Sequence, residues 1–135
     1  MQRKAARENT FLLIFESVCK ADETAEEIFN NAVEVRGIEY DDYVKRVFFG
    51  VYENLKMIDE VIAPHLCGWK KERISPVSMA LIRLAVYEIL FMDDIPSRVS
   101  INEAVELSKK YDDEKSYSFV NGVLHAVSTS LSENG

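Results

Sequence analysis

Apolar residues recur along this chain with the period of an α-helix from one end to the other. Phe11, Ile14, Phe15 and Val18 form a first stripe, which the polar stretch Cys19-Lys20-Ala21-Asp22-Glu23 interrupts. A second helix is predicted from about Glu23 to Val35, with Ile28, Phe29, Ala32 and Val33 inward, and Gly37 ends it. Asp41 or Asp42 caps the next helix. Its Tyr43, Val44, Val47, Val51, Leu55, Ile58, Val61 and Ile62 keep the helical period as far as Pro64, with a bend expected near Asn54. Ser75 caps the helix after that, with Pro76 in the first turn, where a missing N–H does no harm. There Met79, Ile82, Val86 and Ile89 mark one face while Leu81, Leu84, Ala85 and Leu90 fill others. A helix apolar nearly all round belongs in the middle of a bundle.

Two further helices follow the turn Asp93-Asp94-Ile95-Pro96, separated by Asp112-Asp113-Glu114-Lys115. In the last of them Asn121-Gly122 would ordinarily signal a hairpin. Val120, Val123, Leu124, Val127 and Leu131 nevertheless recur at i, i+3, i+4, i+7 and i+11, and the helical reading prevails. A glycine inside a helix costs about 1 kcal/mol against alanine, so Gly122 predicts a close approach by another backbone or a ligand. No alternating strand pattern is present. The pattern predicts an all-α fold. One domain spans residues 1–135, with an N-terminal sub-bundle over about 1–64 and a C-terminal one over about 65–135, packed along the Val77 to Met92 helix.

Composition agrees with a globular domain: 135 residues, 47% hydrophobic and 29% charged, are enough to bury a core. Cys19 and Cys67 have no CxxC partner, which disfavours a disulfide framework, points to a reducing compartment and casts both as small packing groups. Glu16 breaks the apolar run Phe11 to Phe15, so no secretory signal is read there. Val77 to Met92 carries Arg83 and Glu88 and falls short of the ~20 residues that a membrane span needs. A cytoplasmic protein without membrane contact is expected.

Net charge is -7, which taken alone argues against nucleic acid. Its distribution changes the picture. Between Asp22 and Glu60 eleven acids face four bases, a surplus that equals the whole net charge, so the rest of the chain is balanced and has room for a cationic patch. Catalytic chemistry is not legible. His65 and His125 are far apart, and the pairs Asp41-Asp42, Asp93-Asp94 and Asp112-Asp113 sit at helix starts and turns, where aspartate serves local hydrogen bonding. There is no Gly-rich phosphate loop, GxSxG elbow or HExxH. The sequence predicts no enzyme, metal site or cofactor.

What remains is cationic and aromatic. Arg3 and Arg7 stand at i and i+4 with Lys4 beside them in the opening turns of the first helix, where the macrodipole disfavours positive charge. Either these turns are frayed and solvated, or they form an arginine patch aimed at phosphates. Lys109-Lys110-Tyr111 with Lys115, Tyr117 and Phe119 alternates bases with aromatic faces, as single-stranded RNA binding prefers, although Asp112, Asp113 and Glu114 cancel the charge in sequence and Tyr111 and Phe119 also suit a core. Ser116 is a candidate first residue of the last helix, offering backbone N–H groups to a phosphate oxygen.

At these residues the chain resembles the NusB family of bacterial transcription antitermination factors. The likeness rests on Arg3-Lys4-Ala5-Ala6-Arg7-Glu8, Gly50-Val51, Ile58-Asp59, Ala80 to Ile89, Pro96, Val99 to Leu107 and Phe119-Val120-Asn121-Gly122-Val123-Leu124, and the last two blocks in this order are specific. The resemblance implies a fold of two small helical bundles. It also implies a function: with NusE, a ribosomal small-subunit protein, the family binds the boxA element of ribosomal RNA transcripts and keeps the RNA polymerase elongation complex moving. Carried over, the family's arginine-rich patch falls on Arg3, Lys4 and Arg7, and its C-terminal RNA surface on Tyr111, Lys115, Ser116, Phe119 and Asn121. The basic run is thin here, with Ala5 and Ala6 inside it, and the second and third helices are markedly acidic. Two other readings stand beside this one. One is a protein-only interaction module with little RNA binding. The other is an RNA-targeting module like the N-terminal part of a ribosomal RNA cytosine methyltransferase, which the absence of a cofactor-binding domain in these 135 residues disfavours. The apolar surface also admits a second copy of the chain as a homodimer.

Overall fold

The computed structural model describes residues 1–66, 68 and 73–134. Within them the chain forms seven α-helices and no strand: α1 (Arg3–Cys19), α2 (Ala25–Glu34), α3 (Asp42–Glu53), α4 (Leu55–Ile62), α5 (Pro76–Phe91), α6 (Ser97–Tyr111) and α7 (Glu114–Asn134), with a 3-10 turn at Ala63–His65. The boundaries follow from local chemistry. Thr24, Asp41 and Ser75 each accept a hydrogen bond from the backbone N–H three residues on, which satisfies a donor that the first turn leaves open. Gly37 has φ 67°, and this left-handed turn lets the Ile38 N–H donate back to the Ala32 carbonyl at 3.1 Å and close α2.

The helix expected to run unbroken to Pro64 with a bend is in fact two helices. Asn54 leaves helical geometry at φ -115°, ψ 20°, and its side-chain amide donates to the Gly50 carbonyl at 2.8 Å beside its own backbone N–H at 3.1 Å, which closes α3 there. Arg83 on α5 then fastens α4 by a two-pronged pair to Asp59, both contacts at 3.0 Å.

Helix α5 lies at the centre and packs on α1, α3, α4, α6 and α7. This explains its all-round apolar character: Met79, Leu81, Ile82, Leu84, Val86 and Tyr87 are all buried, on every side of it. The exception is Glu88, whose carboxylate is completely buried. Three other helices answer it. Arg7 of α1 donates through Nε at 2.9 Å and through a terminal nitrogen at 3.3 Å, Ser100 of α6 donates at 2.6 Å, and the Tyr43 hydroxyl of α3 donates to Oε2. Burial, reinforced by the Glu88 charge, pushes the Tyr43 hydroxyl far above the ordinary tyrosine range, which keeps its proton in place for that bond.

Two expectations about small residues change. Gly122 is exposed, and a Cβ there would meet nothing within 4 Å, so no close approach explains it. The close approach is at Gly50, where a Cβ would lie 2.5 Å from the buried Tyr87 ring. Cys19 is exposed in the last turn of α1 and is not a packing group; Cys67 lies outside the described residues.

Gly50→Ala should therefore destabilise the fold by about 1 to 3 kcal/mol through overpacking. Gly122→Ala should stabilise it by up to about 1 kcal/mol, because alanine favours the helix and restricts the unfolded chain. Urea denaturation of the two variants reads both signs. Arg7→Ala strands the Glu88 carboxylate and should cost about 3 to 5 kcal/mol in the same measurement.

Candidate nucleic-acid interface

The residues singled out for phosphate and base contact fall at three places. Helix α1 opens at Gln2, whose backbone is extended and whose side chain makes no capping bond, so the first N–H groups of α1 are not capped by that side chain. Arg3 and Lys4 are exposed there. The Arg3 guanidinium sits over the Tyr43 ring, 4.4 Å from its centroid, which holds an otherwise free side chain against α3.

Arg7 is elsewhere. One turn further along the same helix face it is 4% exposed, and its donors point to Glu88. The i, i+4 spacing that groups Arg3 with Arg7 in sequence is correct in rotation, but α3, α5 and α6 close over the second residue and leave the first outside. Arg7 is a core residue here, not a phosphate contact.

The second place is the C-terminal end of α6, where Lys109 and Lys110 lie in the last turn and favour its dipole. Lys110 Nζ is 2.6 Å from Glu8 Oε2, and the Tyr111 hydroxyl donates to the same oxygen. The Tyr111 ring packs 5.1 Å from Phe11, tilted by 53°, yet the residue stays 37% exposed, enough to present part of its ring. Glu8 thus joins α1 to α6. Its donors, Lys110 first and Tyr111 second, hold its carboxyl below the ordinary glutamate range despite some burial.

The third place is the start of α7. The Ser116 N–H was expected to be available for phosphate, but it donates to Asp113 Oδ1 at 2.8 Å. An aspartate already supplies the negative group that this helix start attracts. Ser116 is the third residue of α7, which begins at Glu114. Lys115 is exposed, Ser116 and Phe119 are half-buried, and with Arg73, Ser75 and Ser78 they line a cleft of about 180 Å3. Ser75 donates to Asp112 at 2.7 Å and so ties this cleft to the α6–α7 turn.

The three places share one end of the molecule in part. Four residues separate Tyr111 from Lys115, so their Cα atoms are within about 15 Å. Asn121 does not join Phe119: two positions along α7 place it about 200° further round the axis. It is exposed on the flank of Tyr117, whose ring lies 5.3 Å from Lys109 Nζ. Sequence reasoning missed Glu8, Arg73 and the role of Glu88. The Lys4–Glu8 spacing of i, i+4 and a charged residue inside an apolar helix were the available signals for the first and last. Among the described residues no three His, Cys, Asp or Glu side chains gather as a metal site, and no helix is long and apolar enough to cross a membrane.

Comparison with known proteins places this geometry. The family model described as NusB family matches residues 4–129. The transcription antitermination protein NusB of Clostridium botulinum is 45% identical over 128 residues, covering 92% of this chain and 96% of that protein. The solved structure of T. maritima NusB superposes with a TM-score of 0.83 at 36% identity, over 96% of this chain and 92% of that one. The antitermination factors NusB and NusE in complex with dsRNA give a TM-score of 0.83 at 31% identity, over 96% and 99%.

A carbon-detected NMR titration of the Glu8 carboxyl should give a midpoint below the ordinary value of 4.5. Lys110→Ala should move that midpoint upward by more than Tyr111→Phe does.

Proposed function

The chain belongs to the NusB family, and from that premise we propose that it is a transcription antitermination factor that binds boxA RNA of ribosomal RNA transcripts together with NusE. It works by binding, without chemistry. The observation that carries the RNA reading is the meeting of α1 and α6 at Glu8, which sets Lys4, Lys110 and Tyr111 at one corner of a molecule whose acids lie mostly elsewhere.

Arg3 and Lys4 hold phosphates at the open end of α1, and Tyr111 offers its exposed edge to an unpaired base. Lys115 with the cleft beside Ser116 and Phe119 extends the path of the strand, and Asn121 on the other flank of α7 braces a base edge. A protein partner also has a place. Leu12, Phe15 and Cys19 follow Glu8 at i+4, i+7 and i+11 on one face of α1 and, with Ile38, line an apolar groove of about 550 Å3 bordered by the Glu16–Arg36 pair. NusE in that groove lies beside the RNA corner, so the two ligands reinforce each other and RNA polymerase is reached through the assembly. The exposed acids of α2 and α3 favour the second reading, a protein-only adaptor.

A salt series separates the two. Binding of a fluorescent boxA oligonucleotide should weaken steeply with salt, with a log–log slope that falls by about 0.7 for each phosphate contact removed, in Arg3→Ala and in Lys115→Ala. NusE should raise the affinity of the wild-type protein. NusE binding with no RNA response at low salt would establish the adaptor instead.

A further inference from the structure

An acid stands where α1 meets the cationic end of α6. Glu8 is hydrogen-bonded to Lys110 and to Tyr111, faces Lys4 one helical turn away, and its side chain is only 23% exposed. Both groups that would greet a phosphate and a base on α6 are therefore already engaged by a carboxylate. No cation other than Lys110 donates to that carboxylate among the described residues. Glu8 also stays ionised through the neutral range, since both donors favour its charged form.

We propose that Glu8 is an internal competitor for the transcript: its carboxylate occupies Lys110 and Tyr111 in the free protein, and single-stranded RNA binds by displacing it. The inference rests on the RNA-binding function proposed above. Lys110 is 60% exposed, so the pair is held in a water-rich setting and exchanges readily for a phosphate oxygen. Exchange frees one ammonium for the RNA, but leaves a negative charge close to the strand. Glu8 thereby sets an upper limit on the affinity of the protein alone and makes tight binding depend on a partner that adds contacts of its own.

The comparison that tests this uses the full chain and a boxA single-stranded RNA oligonucleotide, titrated by anisotropy across a salt series. Glu8→Gln keeps the shape and can still accept from Tyr111, but it no longer neutralises Lys110. It should bind about two- to fivefold more tightly, the range of an exposed ion pair. Its salt slope should be steeper by about 0.7, because Lys110 then neutralises one more phosphate. Lys110→Ala in the Glu8→Gln background should erase the tighter binding. Glu106→Gln removes the same charge from an exposed carboxylate paired with Lys109 at 3.4 Å and not hydrogen-bonded to Lys110, and should change affinity less than the Glu8 variant. Equal increases in both single variants would reduce the effect to net charge and overturn the proposal. Unchanged or weaker binding by Glu8→Gln, with a melting curve like that of the wild type, would overturn it too and would make Glu8 an organiser of the corner. If the wild type and every variant fail to bind RNA at low salt, the RNA-binding function itself falls, a result distinct from either of these.

Discussion

A carboxylate sealed among apolar side chains must find donors before the core can close around it, and Glu88 finds them on three other helices. Desolvating such a charge costs several kcal/mol, and the direction of its hydrogen bonds is far more demanding than the packing of methyl groups. The consequence is orientation. Arg7 must face inward, so the rotation of α1 about its own axis is fixed. Arg3 then falls against Tyr43, Glu8 turns toward the end of α6, and Leu12, Phe15 and Cys19 line the groove beyond. The surface proposed for RNA and partner is laid out by an ion pair buried beneath it.

The electrostatic design follows from the same division. Eleven of the acids lie between Asp22 and Glu60, on α2, α3, α4 and their connections. Glu16 on α1 is turned toward that side, where Arg36 at 2.5 Å and Lys20 at 2.8 Å hold its carboxyl below the ordinary range. Where α1, α6 and α7 come together, Arg3, Lys4, Lys109, Lys110 and Lys115 are matched by Glu8, Glu106, Asp112, Asp113 and Glu114, so this end is balanced where the other is acidic. Fields of this kind act over roughly a Debye length, about 10 Å at 0.1 M salt, so a corner of a few cations remains visible to a polyanion that approaches from that side.

Much of the fold is legible in the sequence because it is written in local chemistry. Thr24, Asp41 and Ser75 are caps that any reading of side-chain donors and acceptors finds, and the stripe of each helix names its buried face. The interruption at Asn54 is visible as a bend because an asparagine breaks into a long apolar period, but whether the chain bends or breaks is set by the backbone angles of Asn54, which the apolar period does not encode. The site is legible in outline and misleading where partners are remote. Arg7 and Glu88 are 81 residues apart, and nothing in either neighbourhood announces the other except the oddity of a glutamate in an apolar helix. Ser116 falls inside the helix and not at its start because Asp113, three residues earlier, is recruited to the first turn. Gly122 and Gly50 exchange roles for a similar reason, since which glycine meets a ring depends on α3 crossing α5 and not on the glycine's own helix.

The split between Arg3 and Arg7 has a further consequence for how such a protein can work. A basic run counted in sequence overstates the charge offered to RNA, because one of its three cations is consumed by the core, and Glu8 beside it engages Lys110 of α6 at the surface. Six exposed side chains, Arg3, Lys4, Arg73, Lys109, Lys110 and Lys115, are a small basis for holding a transcript when each phosphate contact is screened by salt. In the proposed reading, affinity and selectivity then come from unpaired bases meeting Tyr111 and the α7 cleft, and from a second protein bound close enough that its contacts count as intramolecular. The continuity of the apolar groove with Glu8 along a single face of α1 supplies that closeness. A rigid helix whose inward side is locked by Glu88 can present one partner to the other without any change of shape.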